Sequence, residues 1–221
     1  MEYLLIFLAA IQSYLLGSIN FAIIFSKLFL KKDVRDFGSG NAGMTNVLRV
    51  VGVVPGILTF LCDVLKGAVA CYIGKFIIFD YLFANYQSEW FVPNYGALLC
   101  GIFCMLGHVF PLFFGFKGGK AVAISVGIFA IINWKAILLV LTIFVIMLLI
   151  SRIISISSLT ATAVMPVAIF LFHPVGSESL LWVEILGSLI MVLIIYLKYI
   201  ENIKILIKVQ EKPIFGKGKK G

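Results

Sequence analysis

Three short polar stretches carry almost all the residue types that could do chemistry in this chain. The first is Gly38-Ser39-Gly40-Asn41-Ala42-Gly43-Met44-Thr45-Asn46-Val47-Leu48-Arg49. Glycines reach the positive φ that lets backbone N–H groups converge on an anion, and an arginine fork matches phosphate oxygens. Nucleotide binding of the P-loop kind is excluded, because Met44 stands where that motif needs its lysine. A tight turn whose Ser, Asn and Thr side chains satisfy local backbone groups is the other reading, and the stretch alone does not choose.

The second stretch is Asp63, Lys66 and Gly67. Residues three apart share a helical face, and ionisable groups inside an apolar run are costly and usually functional; a structural ion pair is the alternative. The third runs Gly107-His108-Val109-Phe110-Pro111 and on to Phe116-Lys117-Gly118-Gly119-Lys120. Pro111 breaks the helix ladder, and two cations flank a glycine pair, which makes a second phosphate clamp. His108 shares a helical face with Cys100 and Cys104, yet no carboxylate or second histidine is close enough in sequence to make a metal set, so neither a metal nor a cofactor is expected. It reads as a polar group at an anion site, as a general base for a hydroxyl, or as a satisfied structural histidine. Two weaker stretches follow: Ser151-Arg152 with Ser155, Ser157 and Ser158, and the segment around Asn202 and Lys204.

These groups must be held by lipid-embedded elements. The chain of 221 residues is 62% hydrophobic and 13% charged, with a mean hydropathy of +1.13, more apolar surface than a soluble core of this size buries. Spans of about 20 apolar residues are expected near 3–25, 51–79, 93–114, 119–133, 136–151, 156–174 and 180–198. Placing the N-terminus outside puts all the Lys and Arg residues on the inner side except Lys66, Lys75 and Lys135, as cytoplasmic loops require. Merging the fourth and fifth spans would separate Lys198–Lys220 from Lys27–Arg49, so seven spans fit better than six. The expected fold is therefore all-α: a polytopic membrane helical bundle of about seven transmembrane helices, with a cytoplasmic C-terminus. Residues 1–221 form a single membrane-embedded domain, of which 207–221 is a basic tail that contacts anionic headgroups. The net charge of +8 does not indicate nucleic acid, since the cations sit in short loops between apolar runs. The four cysteines lie inside those runs and form no disulfide framework. Oligomeric state is not legible.

Together the three stretches resemble one family, the bacterial acyl-phosphate:glycerol-3-phosphate acyltransferases called PlsY. Its Ser-Gly-Asn-x-Gly-x-Thr-Asn-x-x-Arg loop is matched by Ser39–Arg49, its Asp-x-x-Lys-Gly by Asp63–Gly67, and its Gly-His-x-Phe-Pro with Phe-Lys-Gly-Gly-Lys by Gly107–Lys120. The chain departs from the pattern at Ala121, where the family has glycine. It departs again at Tyr199, Ile205 and Val209, which stand for histidine, arginine and glycine.

The resemblance implies transfer of a fatty acyl group from acyl phosphate to the 1-hydroxyl of sn-glycerol 3-phosphate, giving lysophosphatidic acid and phosphate, the first step of phospholipid biosynthesis. It implies a bacterial cytoplasmic membrane and a site facing the cytoplasm. It assigns phosphate binding to Ser39, Gly40, Asn41, Gly43, Thr45, Asn46 and Asn202, and a second anion pocket to Lys66, Lys117, Gly118 and Gly119. His108, Arg49 and Lys120 are the catalytic candidates, with either His108 or an oxygen of the acyl phosphate taking the hydroxyl proton. No serine or cysteine has an evident base partner, so an acyl-enzyme is not expected. The rival class is a transporter of a phosphorylated metabolite, which would place its site near the midplane on repeated, broken helices.

Overall fold

The computed structural model describes residues 1–173 and 178–208. Among these all regular structure is helical, and six helices are long and apolar enough to cross a membrane. The chain divides into two compact units, Met1–Ile132 and Asn133–Gly221.

The first unit begins with α1 (Glu2–Ser18) and α2 (Phe21–Leu30). The sequence predicts one unbroken span over 3–25, but Ile19 and Asn20 are extended and interrupt it. The Asn20 side chain accepts the Ile23 N–H at 3.1 Å and so caps α2, the satisfaction of an orphan donor that a helix start requires. After a polar loop comes α3 (Met44–Val50). Then α4 (Val53–Tyr72) runs through a π-helical segment, Ile73–Phe79, into α5 (Asp80–Tyr86), an apolar rod of 34 residues. At 1.5 Å per residue the rod is about 51 Å long, well beyond the ~30 Å hydrocarbon core. The π segment lies where Gly74 and Gly96 bring two backbones together.

Two helices complete this unit: α6 (Pro93–Val109) and α7 (Val122–Ile132). The span expected at 119–133 is thus an 11-residue helix, about 16 Å long, too short to cross the bilayer alone. Reciprocal glycines fix the packing. A side chain on Gly17 of α1 would strike the Cys104 carbonyl of α6, and one on Gly107 of α6 would strike the Tyr14 carbonyl of α1. The same exchange joins Gly67 of α4 with Ile124 and Gly127 of α7 with Val64. Between membrane helices lipid supplies no hydrophobic drive, so close backbone approach over small residues takes its place.

The second unit holds α8 (Trp134–Ser151), α9 (Ile154–Leu171) and α10 (Glu178–Ile207). Asn133 caps α8 by accepting the Ala136 N–H at 3.0 Å, which is why the expected fourth and fifth spans do not merge. The Tyr196 hydroxyl donates to the Leu159 carbonyl at 2.9 Å and ties α10 to α9. Of the expected basic tail, residues 209–221, with Lys212, Lys217, Lys219 and Lys220, lie outside the described residues.

Candidate active site

The first and third polar stretches come together in the first unit, and Arg35, just ahead of the first, reaches across to the third. Its guanidinium forks onto both oxygens of Asp33, at 3.0 and 2.9 Å, and its other end donates to the carbonyls of Phe114 at 2.7 Å and Lys117 at 3.1 Å. The Arg35 hydrogen bond holds the Asp33 carboxyl below its usual range against the opposing effect of burial, and the same bond raises the Arg35 guanidinium. Beside this bridge lies a cavity of about 470 Å³ lined by Arg35, Asp36, Gly40, Phe114, Gly115, Lys117 and Gly118. That is a small-molecule volume whose charged lining is Arg35, Lys117 and Asp36.

The first loop is pinned from within. Asn46 is 1% exposed, its amide donates to the carbonyls of Val34 and Phe37, and its oxygen accepts the Ser39 N–H at 3.0 Å. Expected as a phosphate ligand, it spends its side chain on the loop itself, which it staples. The N–H groups of Ser39, Gly40 and Gly43 are likewise used locally, on Asn46, Phe37 and Asn41. What this loop has left to offer a ligand is side chains. Ser39, Asn41, Thr45 and Arg49 make no side-chain hydrogen bond among the described residues, and Ser39 and Arg49 are exposed. Gly38 and Gly40 have φ of 61° and 69°, so the turn needs them for its shape.

The third loop folds back on the helix it leaves. Gly118 N–H donates to Val109 and Gly119 N–H to His108, capping the end of α6. These amides, expected to hold an anion, serve the helix. Tyr14 and Ser18 of α1 fasten the same turn, through the Phe110 carbonyl at 2.8 Å and the Leu112 N–H at 3.2 Å. The Lys117 side chain is exposed, and Lys120 is half-buried in the same turn. A Cβ on Gly119 would meet His108 Nε2 and lie 2.7 Å from the Ala42 carbonyl, so both loops and His108 converge there.

Lys66, expected in a second anion pocket, does not line this cavity. It is 3% exposed, and its ammonium reaches the carbonyls of Gly17 at 3.2 Å and Ile19 at 2.7 Å, Asp63 Oδ1 at 2.9 Å and His108 Nδ1 at 2.9 Å. Its three protons go to the two carbonyls and to Nδ1, while Asp63 Oδ1 pairs with it by charge, at a helix C-terminus where a cation is favoured. Asn202 belongs to the second unit, where its amide donates to Ser155 Oγ at 2.8 Å.

A profile described as glycerol-3-phosphate acyltransferase matches residues 7–209. The chain belongs to the glycerol-3-phosphate acyltransferase family. It is 36% identical to glycerol-3-phosphate acyltransferase 2 of Bacillus anthracis over 94% of this chain and 98% of the relative. With glycerol-3-phosphate acyltransferase 2 of Lactobacillus acidophilus it shares 37% identity, over 92% and 88%. Among solved structures it is similar to PlsY, an integral membrane glycerol 3-phosphate acyltransferase, in its glycerol 3-phosphate form. That match has a TM-score of 0.78 and 32% identity, and covers 96% of each chain. In this family member, sequence reasoning passed over Arg35, Asp33 and Asn20. Arg35 was visible only as one cation of a basic loop, since the carbonyls it reaches lie about 80 residues away.

Proposed function

We propose that this membrane glycerol-3-phosphate acyltransferase takes its acyl group from an acyl phosphate. The group goes to the 1-hydroxyl of sn-glycerol 3-phosphate, and lysophosphatidic acid and inorganic phosphate are released. One observation carries the reading. Two cation-bearing glycine loops, Ser39–Arg49 and Lys117–Lys120, meet where Gly119 faces the Ala42 carbonyl, and Gly40, Lys117 and Gly118 of these loops line a cavity of about 470 Å³ beside Arg35. Both substrates of such a reaction are phosphorylated, so a site needs two anion contacts at close range. The hydroxyl oxygen attacks the acyl carbon, the bond from that carbon to the phosphate oxygen breaks, and the hydroxyl proton passes to an oxygen of the phosphate that leaves. Arg49, Lys117 and Lys120 offset the charge that develops on the leaving phosphate. Ser39, Asn41 and Thr45 supply uncharged polar groups to the bound phosphate.

Related proteins support the substrates. One similar PlsY structure is the glycerol 3-phosphate form and another the lysophosphatidic acid form, the latter with a TM-score of 0.76 and 30% identity. The loop cations and the bacterial relatives support a bacterial cytoplasmic membrane with the N-terminus outside and the site facing the cytoplasm. The family match runs through both compact units, in keeping with one acyltransferase domain over 1–221.

The test is to give the purified protein glycerol 3-phosphate with acyl phosphate, acyl-CoA or acyl-carrier protein in turn. Lysophosphatidic acid and phosphate in equal amounts from acyl phosphate alone is the expected result. Equal or faster product formation from either thioester would overturn the choice of donor.

A further inference from the structure

Asp63, Lys66 and His108 are 1%, 3% and 3% exposed, and the reaction outlined above uses neither Asp63 nor Lys66. Lys66 Nζ lies 2.9 Å from His108 Nδ1, while Asp63 Oδ1 lies 2.9 Å from Nζ and 3.6 Å from Nδ1. An ammonium has protons to donate and no lone pair, so toward Nδ1 it acts only as a donor. Nδ1 is then the bare nitrogen of the ring, and the neutral imidazole carries its proton on Nε2. Nε2 is the atom that fills the space a side chain at position 119 would need, with Cε1 3.0 Å from that point.

We propose that Lys66, held by Asp63 and by the carbonyls of Gly17 and Ile19, locks His108 in the Nε2–H tautomer, so that the ring meets the Gly118–Gly119 turn as a hydrogen-bond donor and not as a base. A second proton would have to enter between Nδ1 and an ammonium 2.9 Å away, or make a second buried cation where one carboxylate already balances the first. Lys66 and Asp63 are positioning residues that act through His108.

The tautomer is a property of the resting protein and is read without substrate. The chain has two histidines, so protein labelled with 15N-histidine gives two ring systems, and His173→Gln identifies the other one. At neutral pH the His108 ring is expected to show an unprotonated Nδ1 and a directly bonded proton on Nε2. Lys66→Met is expected to give a mixture of both tautomers, and Lys66→Arg, which keeps a cationic donor, the wild-type pattern. A proton on Nδ1 in the wild type would overturn the proposal, as would a Lys66→Met spectrum identical to wild type. Should Lys66→Met not fold, the wild-type spectrum decides alone. The donor comparison and this spectrum fail independently, since the spectrum involves no acyl donor.

Discussion

Arg35 donates a 2.7 Å hydrogen bond to the carbonyl of Phe114, 79 residues further along the chain, while the rest of its guanidinium grips Asp33. This one side chain ties the segment that leads into the first glycine loop to the turn that leads into the second, on the wall of the cavity that Gly40 and Lys117 also line.

Loss of that bridge should therefore be felt in catalysis before it is felt in folding. Arg35→Ala is expected to lower kcat/KM for lysophosphatidic acid formation on the order of 10²-fold, the cost of a misplacement near 1 Å at a reacting site. Arg35→Lys should not restore it, because one ammonium cannot reproduce a planar fork onto a carboxylate and two carbonyls. Kinetics of the two variants in detergent or nanodiscs check this; wild-type rates in Arg35→Ala would show that the loops hold each other without it.

The partner carboxylate makes an acid-side prediction. Asp33 titrates below its ordinary value of 3.8 in the folded protein because of the Arg35 hydrogen bond. A depressed folded pKa contributes stability above the unfolded value that is lost as pH falls through the folded one. Wild type and Asp33→Asn should thus differ by a constant amount in thermal unfolding from neutral pH down toward 3.8, and the gap should close below it. A gap that widened on acidification would have the wrong sign.

Much of this arrangement was legible before any coordinates. Asp63 and Lys66 stand three apart on one turn, and the ion pair forms at 2.9 Å. The glycine-cation stretches are the two loops that meet where Gly119 faces the Ala42 carbonyl. Less legible was which atoms within them are spent on the fold. Nothing local distinguishes Asn46, buried and stapling, from Asn41, which makes no side-chain hydrogen bond among the described residues. The amides of Gly118 and Gly119 were expected to bind an anion because a glycine pair between lysines suits that use, yet the end of α6 claims them. The break at Asn20 escaped a hydropathy window, since one polar residue scarcely lowers a 20-residue average.

The departure from the family pattern at Ala121 has a measurable cost. Its φ is 64° and its side chain is 1% exposed. A left-handed alanine costs roughly 1–2 kcal/mol, while removing its buried methyl and loosening the unfolded chain would forfeit a similar sum. Ala121→Gly should accordingly shift stability by less than about 1 kcal/mol, whereas Ala121→Val, β-branched at positive φ, should cost more than about 2 kcal/mol. Thermal unfolding of the pair decides it; an Ala121→Val as stable as wild type would mean the turn relaxes.

Gly119 is constrained by space and not by φ. Gly119→Ala would push a methyl against His108 Nε2 and the Ala42 carbonyl at 2.7 Å, displacing the ring or the first loop. Activity should fall on the order of 10²-fold while the protein still inserts and purifies. The same rate as wild type would indicate that the ring swings aside without consequence.

Arg49 bears most directly on the claim that these two loops are the reaction site. It is exposed, makes no side-chain hydrogen bond among the described residues, and lies in the last turn of α3. Its removal should leave stability within about 0.5 kcal/mol of wild type. The deciding measurement is the rate of lysophosphatidic acid formation by purified Arg49→Ala from acyl phosphate and glycerol 3-phosphate, at matched protein and detergent. A fall on the order of 10²-fold or more with unchanged thermal unfolding is the predicted result, and a rate equal to wild type would contradict the account.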